Sequence, residues 1–191
     1  MEPDKPLIVN IKYPTGQFTR RLYRLPVQMW RLGLKRLFAR RILILATVGH
    51  KTGQVRYTAL EYHKVAGRKY FYSGWGSQSA WYRNIQANPC ATIQSSDGVE
   101  HVIVQRVTNP RELARVFEYF QNNLYTKLWL DFLGLKMNPD STSIQPEQIY
   151  LFSYEPTDQS TPPPVTVDLG WIWQVILLII LVAWLIIKNS K

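Results

Sequence analysis

Two short stretches of the 191-residue chain carry residue types that could do chemistry. The first is Gly49-His50-Lys51-Thr52-Gly53, followed closely by Arg56. Glycines let successive backbone N–H groups point the same way, and Lys and Arg add positive charge, so such a turn can cradle an anion. It has the spacing of neither a P-loop nor a dinucleotide fingerprint, and an ordinary exposed hairpin would look the same. The second stretch is Ser73-Gly74-Trp75-Gly76-Ser77-Gln78-Ser79-Ala80-Trp81-Tyr82-Arg83-Asn84. Its small residues leave room beside Trp75, Trp81 and Tyr82 for a flat aromatic cofactor, whose polar edges Asn84 and the loop amides could fix. Two of those rings could equally serve as core anchors of a helix. Cys90 is the only cysteine and His50, His63 and His101 are scattered, so no metal-ligand spacing is present.

These stretches need elements to hold them. Ile42 to Val48 and Val55 to Val65 are β-rich runs facing each other across the glycine turn, and Lys69 to Ser73 reads as a third strand. Ser79 to Ala87 is helical and closed by Asn88-Pro89. Ala91 to Ser95 and Val99 to Val107 follow, joined by the hairpin signal Asp97-Gly98. Pro110 opens a helix through Phe120, Asn123 to Gly134 adds a second helical piece, and Gln148 to Tyr154 makes a sixth strand. The pattern predicts a mainly β fold with flanking helices, a small antiparallel barrel over residues 41–154.

The formal charge of +10 raises nucleic-acid binding as a possibility, and its distribution argues against it. Met1 to Leu60 holds 12 Lys or Arg against 2 acids, whereas Glu61 to Lys191 holds 11 of each. The excess therefore belongs to the anion-cradling turn and to Thr19 to Phe38, beyond an N-terminal extension at 1–18. In that basic segment Leu22, Leu25, Met29, Trp30, Leu34 and Leu37 share one broad helical face opposite Arg24, Arg31 and Lys35, and Pro26 is expected to divide it in two. Its apolar face can either lie on anionic headgroups or pack on the domain.

Leu169 to Ile187 is apolar except for Gly170 and Gln174, and as a helix it would span about 28 Å, the thickness of a bilayer core. Its twelve Leu, Ile and Val between Ile172 and Ile187 favour insertion by about 4–7 kcal/mol, with Trp171, Trp173 and Trp184 near the two interfaces. Before it, Glu155 to Asp168 includes Thr161-Pro162-Pro163-Pro164 and reads as an extended stalk that resists packing. Only Lys188 to Lys191 follow the span, and the chain opens without a secretory leader. The expectation is a single-pass tail anchor with the domain facing the cytoplasm.

The two clusters together resemble the deazaflavin (coenzyme F420)-dependent nitroreductase or quinone reductase family, whose members share a split β-barrel. The resemblance runs from about Leu32 to Tyr154, and is densest in RLGLKRLFARRILILATVGHKTGQVRYTALEYH and SAWYRNIQANP. It implies that His50, Lys51, Thr52 and Arg56 contact the cofactor's phosphate and tail, and that Tyr57, Thr58, Ala59, Leu60 and Glu61 line the deazaflavin. It implies further that Ser73, Gly74 and Trp75 with Ala80, Trp81, Tyr82, Arg83 and Asn84 complete the pocket. Tyr119 and Tyr125 would border the acceptor. Three positions depart from the family pattern: His50 stands where Arg is usual, Ala59 replaces a common Pro, and the loop after Ser73 lacks a basic residue.

Two functional classes follow. One is an oxidoreductase that passes a hydride from reduced deazaflavin to a quinone-like or nitroaromatic acceptor, with Ser73, Tyr119 and Tyr125 as candidate donors to it. Placement at a membrane points to a lipophilic quinone such as menaquinone. The other class is a non-catalytic binder of a lipophilic ligand or flavin, and FMN is the alternative cofactor for an enzyme of the same barrel.

Overall fold

The computed structural model describes residues 16–122 and 150–189. In chain order its elements are α1 (Gln17–Arg31), a 3-10 turn (Leu34–Leu37), β1 (Ile42–Val48), β2 (Val55–Val65), β3 (Arg68–Tyr72), a 3-10 turn (Gly76–Gln78) and α2 (Ala80–Ala87). They continue with β4 (Cys90–Ser95), β5 (Gly98–Arg106), α3 (Pro110–Asn122), β6 (Leu151–Pro156) and α4 (Gly170–Asn189). The predicted helical piece at Asn123 to Gly134 lies outside the described residues.

The six strands close in the order β1-β2-β3-β6-β5-β4, each pair antiparallel, so no strand edge is left over. Residues alternate between the two faces of each strand. Leu43, Leu45, Tyr62, Phe71, Ile93, Val102, Val104 and Phe152 fill the interior. Ile44, between two interior residues, instead packs outside with Val27 and Trp30 of α1 and with Val165. Burial of both faces explains why β1 reads as an unbroken apolar run. On another part of the outer surface, Leu113, Val116 and Phe120 of α3 cover Val65, Tyr70 and Leu151. Asn109 caps α3, its carboxamide oxygen accepting from Arg111 N at 2.9 Å.

Two expectations need correction. Pro26 does not divide the basic helix, because α1 runs through it; the break comes at Gly33, whose φ of +78° ends the helix in the left-handed region that glycine tolerates. Nor is the Pro-rich stretch a free stalk. Gln94 donates its amide to Val165 O at 3.0 Å and accepts from Val165 N at 2.7 Å, the pairing a neighbouring strand would make. Thr92 Oγ1 bonds Thr161 Oγ1 at 2.8 Å, Tyr57 Oη donates to Pro163 O at 3.2 Å, and Asp168 N donates to Arg31 O at 2.7 Å. The polyproline backbone cannot pair with itself, so its carbonyls are open to side chains of the barrel wall.

Candidate functional site

Strand direction gives the barrel two distinct ends. One carries the β1–β2 turn, the start of the loop after β3, and α2; the other carries the β2–β3 and β4–β5 turns. At the first end α2 acts as a plug, inserting Trp81 and Ile85 into the interior. Asn84, the buried polar residue of the same helix, donates from Nδ2 to Thr47 Oγ1 at 3.0 Å. Its Oδ1 accepts from His50 N at 3.1 Å and lies 3.0 Å from His50 Nδ1. One side-chain amide thus ties α2, the end of β1 and the glycine turn into a unit.

The turn itself is tight. Gly49 accepts from Thr52 N at 3.1 Å and Gly53 N at 2.8 Å through its carbonyl, and a Cβ added at Gly49 would lie 2.9 Å from Thr52 Oγ1 and 3.1 Å from Gln54 O. A side chain there would force Thr52 and the turn to shift. His50, Lys51, Thr52 and Arg56 are exposed around it. Arg56 Nη2 donates to Gln54 Oε1 at 3.1 Å and lies 3.5 Å from Thr52 Oγ1, which fans the guanidinium over the turn. With Arg83 also exposed on α2, this end presents cations and Gly49 to Arg56 contains no acid, while the amides of Gly49, His50, Thr52 and Gly53 already donate within the fold. Such a donor set suits an anionic cofactor tail.

Along β2 the five positions expected to line the cofactor divide between two faces. Tyr57, Ala59 and Glu61 point outward, with His63 next in the row. Thr58 and Leu60 pair with Leu45 and Leu43 and turn toward the barrel interior. The correction follows from the pleat, since consecutive residues cannot share a wall. Tyr57 and Ala59 pack against the cluster of α1 and the docked linker, and the Arg31 guanidinium stands 5.9 Å over the Tyr57 ring.

Further down this outer row is a polar group that sequence reasoning missed. Tyr72 Oη lies 3.5 Å from Glu61 Oε2, and His63 Nε2 is 3.8 Å from Glu61 Oε1. Burial raises the Glu61 carboxyl above its ordinary range, with Tyr72 and Arg41 opposing. Burial, with Arg41 adding to it, pushes His63 down to about 4, so its imidazole is neutral. Tyr119 of α3 sits edge-on to His63 at 6.4 Å between ring centroids. The signal was available: period-two spacing puts His63 on the face of Glu61.

The aromatic stretch also separates. Trp81 is a core anchor, 5.8 Å from Phe71 and 5.0 Å from Phe152, so its ring is in the barrel rather than in an open slot. Tyr82 packs on Tyr150 and Phe152, and Ala80 is exposed. Ser73 is buried, and its Oγ bonds Gly76 O at 3.0 Å and Ser79 Oγ. That hydroxyl shapes its own loop, and Asn84 shapes the turn. Gly74 and Trp75 are partly exposed, and Trp75 meets Tyr23 of α1 edge-to-face at 5.1 Å. Tyr125 lies outside the described residues.

At the opposite end of the barrel the charges are closed on one another. Lys69, buried, lies 2.8 Å from Asp97 Oδ2 and is paired with Glu100, while Lys64 reaches the same Asp97 oxygen at 2.8 Å. Burial alone would favour the neutral amine, but the bonds from Asp97 and Glu100 overrule it and hold Lys69 charged well above the usual lysine range. Those two lysines bring Asp97 down to about 2. A polar cavity of about 460 Å³ opens beside them.

A closed six-stranded barrel, capped at one end by a helix and a tight cationic turn, is a protein of the split-barrel class with one end arranged for an anion. A sequence model of the F420H(2)-dependent quinone reductase family matches residues 22–127, more than half of the chain, and the chain belongs to that family. It is an F420-dependent oxidoreductase. Among solved structures it is similar to the F420-H2 dependent reductase FDR-A, at 20% identity over 61% of this chain and 95% of that one, with a TM-score of 0.42. It is also similar to an F420 reductase, at 19% identity over 62% and 87% with a TM-score of 0.36. The heme storage protein HutZ of Vibrio cholerae overlaps at 16% identity over 68% and 92% with a TM-score of 0.42. These are loose overlaps. No curated protein is similar enough to match.

Proposed function

We propose that this chain reduces a lipophilic quinone at a membrane, using reduced coenzyme F420 held between the glycine turn and the outer face of β2. His50, Lys51, Thr52 and Arg56 would hold the anionic tail, with Arg83 close by on α2. Ala59, Glu61, Gly74 and Trp75 would bound the flat ring, and Tyr57 would close the side next to the linker. Bound there, the cofactor supplies a hydride.

The protein's part is to position and to hold protons. Asn84 keeps the turn in shape, and the Tyr119 hydroxyl on this face would donate to the acceptor's oxygen as charge develops there, while the Tyr72 hydroxyl is turned to Glu61. Ser73 supports the loop instead, because its Oγ is already bonded to Gly76 O. The carbon skeleton of the acceptor would meet the ring of Tyr119, which is partly exposed beside His63, consistent with an aromatic substrate.

The single observation that supports this reading most is the double contact of Asn84 with His50, which sets the cationic turn against α2. Membrane placement draws on α4, whose Gly170–Ile187 is long and apolar enough to cross a bilayer and whose Leu177, Ile179 and Ile180 are exposed. The test is titration of the full chain with coenzyme F420 and with FMN, for the native protein and for Lys51→Ala and Arg56→Ala. Proteoliposome assays with menaquinone and with a water-soluble dye follow. Failure to bind the deazaflavin, or reduction of the dye but never of the membrane quinone, would overturn the reading.

A further inference from the structure

The exposed apolar side chains of α1 are arranged in a way that barrel packing does not explain. Val27 and Trp30 bury themselves on the barrel, but the exposed Leu22, Leu25 and Leu32 recur at i, i+3 and i+10, with half-buried Met29 at i+7, and form a second stripe beside that packed face. Leu25 is 51% exposed, and beyond Gly33 the stripe continues to Leu34 and to Leu37, which is 73% exposed. On a free surface this row of leucines would face water. Between Arg21 and Arg41 there are seven Lys or Arg and no acid.

The linker determines where this stripe lies relative to α4. Its last tether is the bond from Asp168 N to Arg31 O at 2.7 Å, and α4 begins at Gly170, so almost no slack remains between the barrel and the apolar helix. A Cβ built on Gly33 would lie 3.0 Å from Leu169 Cδ2 and 3.6 Å from Val167 Cγ1. Leu32, Leu34, Val167 and Leu169 therefore form one exposed apolar patch at the base of α4.

We infer that α1 and the Leu34–Leu37 turn form an interfacial seat that holds the barrel flat on an anionic bilayer surface, with Leu32, Leu34 and Leu37 dipping below the headgroups. This rests on the reading that α4 spans the membrane. A bilayer is the occupant because the patch is continuous with the one segment suited to hydrocarbon, and because the cations flanking it match anionic headgroups. The docked linker prevents the barrel from standing away on a stalk, so the leucine stripe beside the face of α1 that covers Tyr57 is held at the lipid.

The experiment uses the full chain with Cys90→Ala in nanodiscs of phosphatidylcholine, with and without phosphatidylglycerol. A polarity-sensitive dye is placed in turn at L37C, at I180C, and at Q105C on β5, across the barrel from β2. The seat predicts a blue-shifted L37C signal quenched by nitroxide carried on the lipid, stronger in the anionic discs, with I180C quenched deeper in the acyl region and Q105C in water. A wet L37C label beside a lipid-buried I180C label overturns the seat and leaves the anchor standing. A wet I180C label overturns both. A shielded L37C label that lipid nitroxide does not quench shows a protein contact and also overturns it.

Discussion

The two ends of this barrel treat charge in opposite ways. At the β1–β2 end Lys51 and Arg56 are exposed around a turn without a single acid, and Arg83 is exposed on α2. At the other end Lys64 and Lys69 converge on Asp97, and Lys69 also holds Glu100, to which Tyr154 donates at 2.8 Å. Cations bound to one another's counterions stabilise a fold but have nothing left to offer a ligand. Cations without acidic neighbours in their own turn do little for the fold and are available to an anion. The difference separates cations engaged within the fold from cations open to solvent without any knowledge of substrate.

The largest effect tests the closed end. Lys69→Ala removes the buried cation between Asp97 and Glu100 and is expected to lower unfolding stability by about 3 kcal/mol in chemical denaturation, solvent around the two carboxylates and Lys64 beside Asp97 limiting the loss, with deazaflavin affinity unchanged in the protein that stays folded. Acid separates the middle of β2 from that end. His63 is held at about 4 against an ordinary 6.5, so the unfolded chain takes up a proton before the folded one does. The stability it contributes is present above pH 6.5 and lost as pH falls through 4, on the order of 2–3 kcal/mol. His63→Phe should flatten the stability profile in that window. Asp97, at about 2, keeps its charge throughout, so a steep loss that survives His63→Phe would place the acid-sensitive point elsewhere.

Asn84→Ala should move both readouts, since its amide is buried and shapes the turn. A stability loss of about 2 kcal/mol and weaker cofactor binding are expected, and unchanged binding would detach the turn from the site. The smallest energetic effects belong to the open end. Lys51→Ala and Arg56→Ala should each weaken coenzyme F420 binding about tenfold in a fluorescence titration, with unfolding curves that overlay the native one. A matching drop in stability would erase the contrast between the two ends.

Much of this was legible in the chain. Ile42 to Val48 and Val55 to Val65 coincide with β1 and β2, because β-branched runs ended by a glycine turn leave little choice. The turn at Gly49 to Gly53 lies where its residues place it, since a tight turn is set by a few neighbouring positions. Residues 59–61 and 81–84 were harder. Trp81 and Asn84 serve the core and the turn, because which face of an eight-residue helix enters a barrel depends on partners remote in sequence.

By itself the sequence determined the local matters: strand segments, the cationic turn, the apolar helix and the family to which they point. These depend on residue type and near-neighbour spacing. Only the tertiary structure decided that Pro162 to Asp168 lies along the barrel rather than standing off it, and that Leu60 faces inward while Glu61 joins His63 and Tyr72. Those outcomes rest on hydrogen-bond partners up to 106 positions apart, such as Tyr57 and Pro163, and no local pattern specifies which distant side chain will meet an open carbonyl.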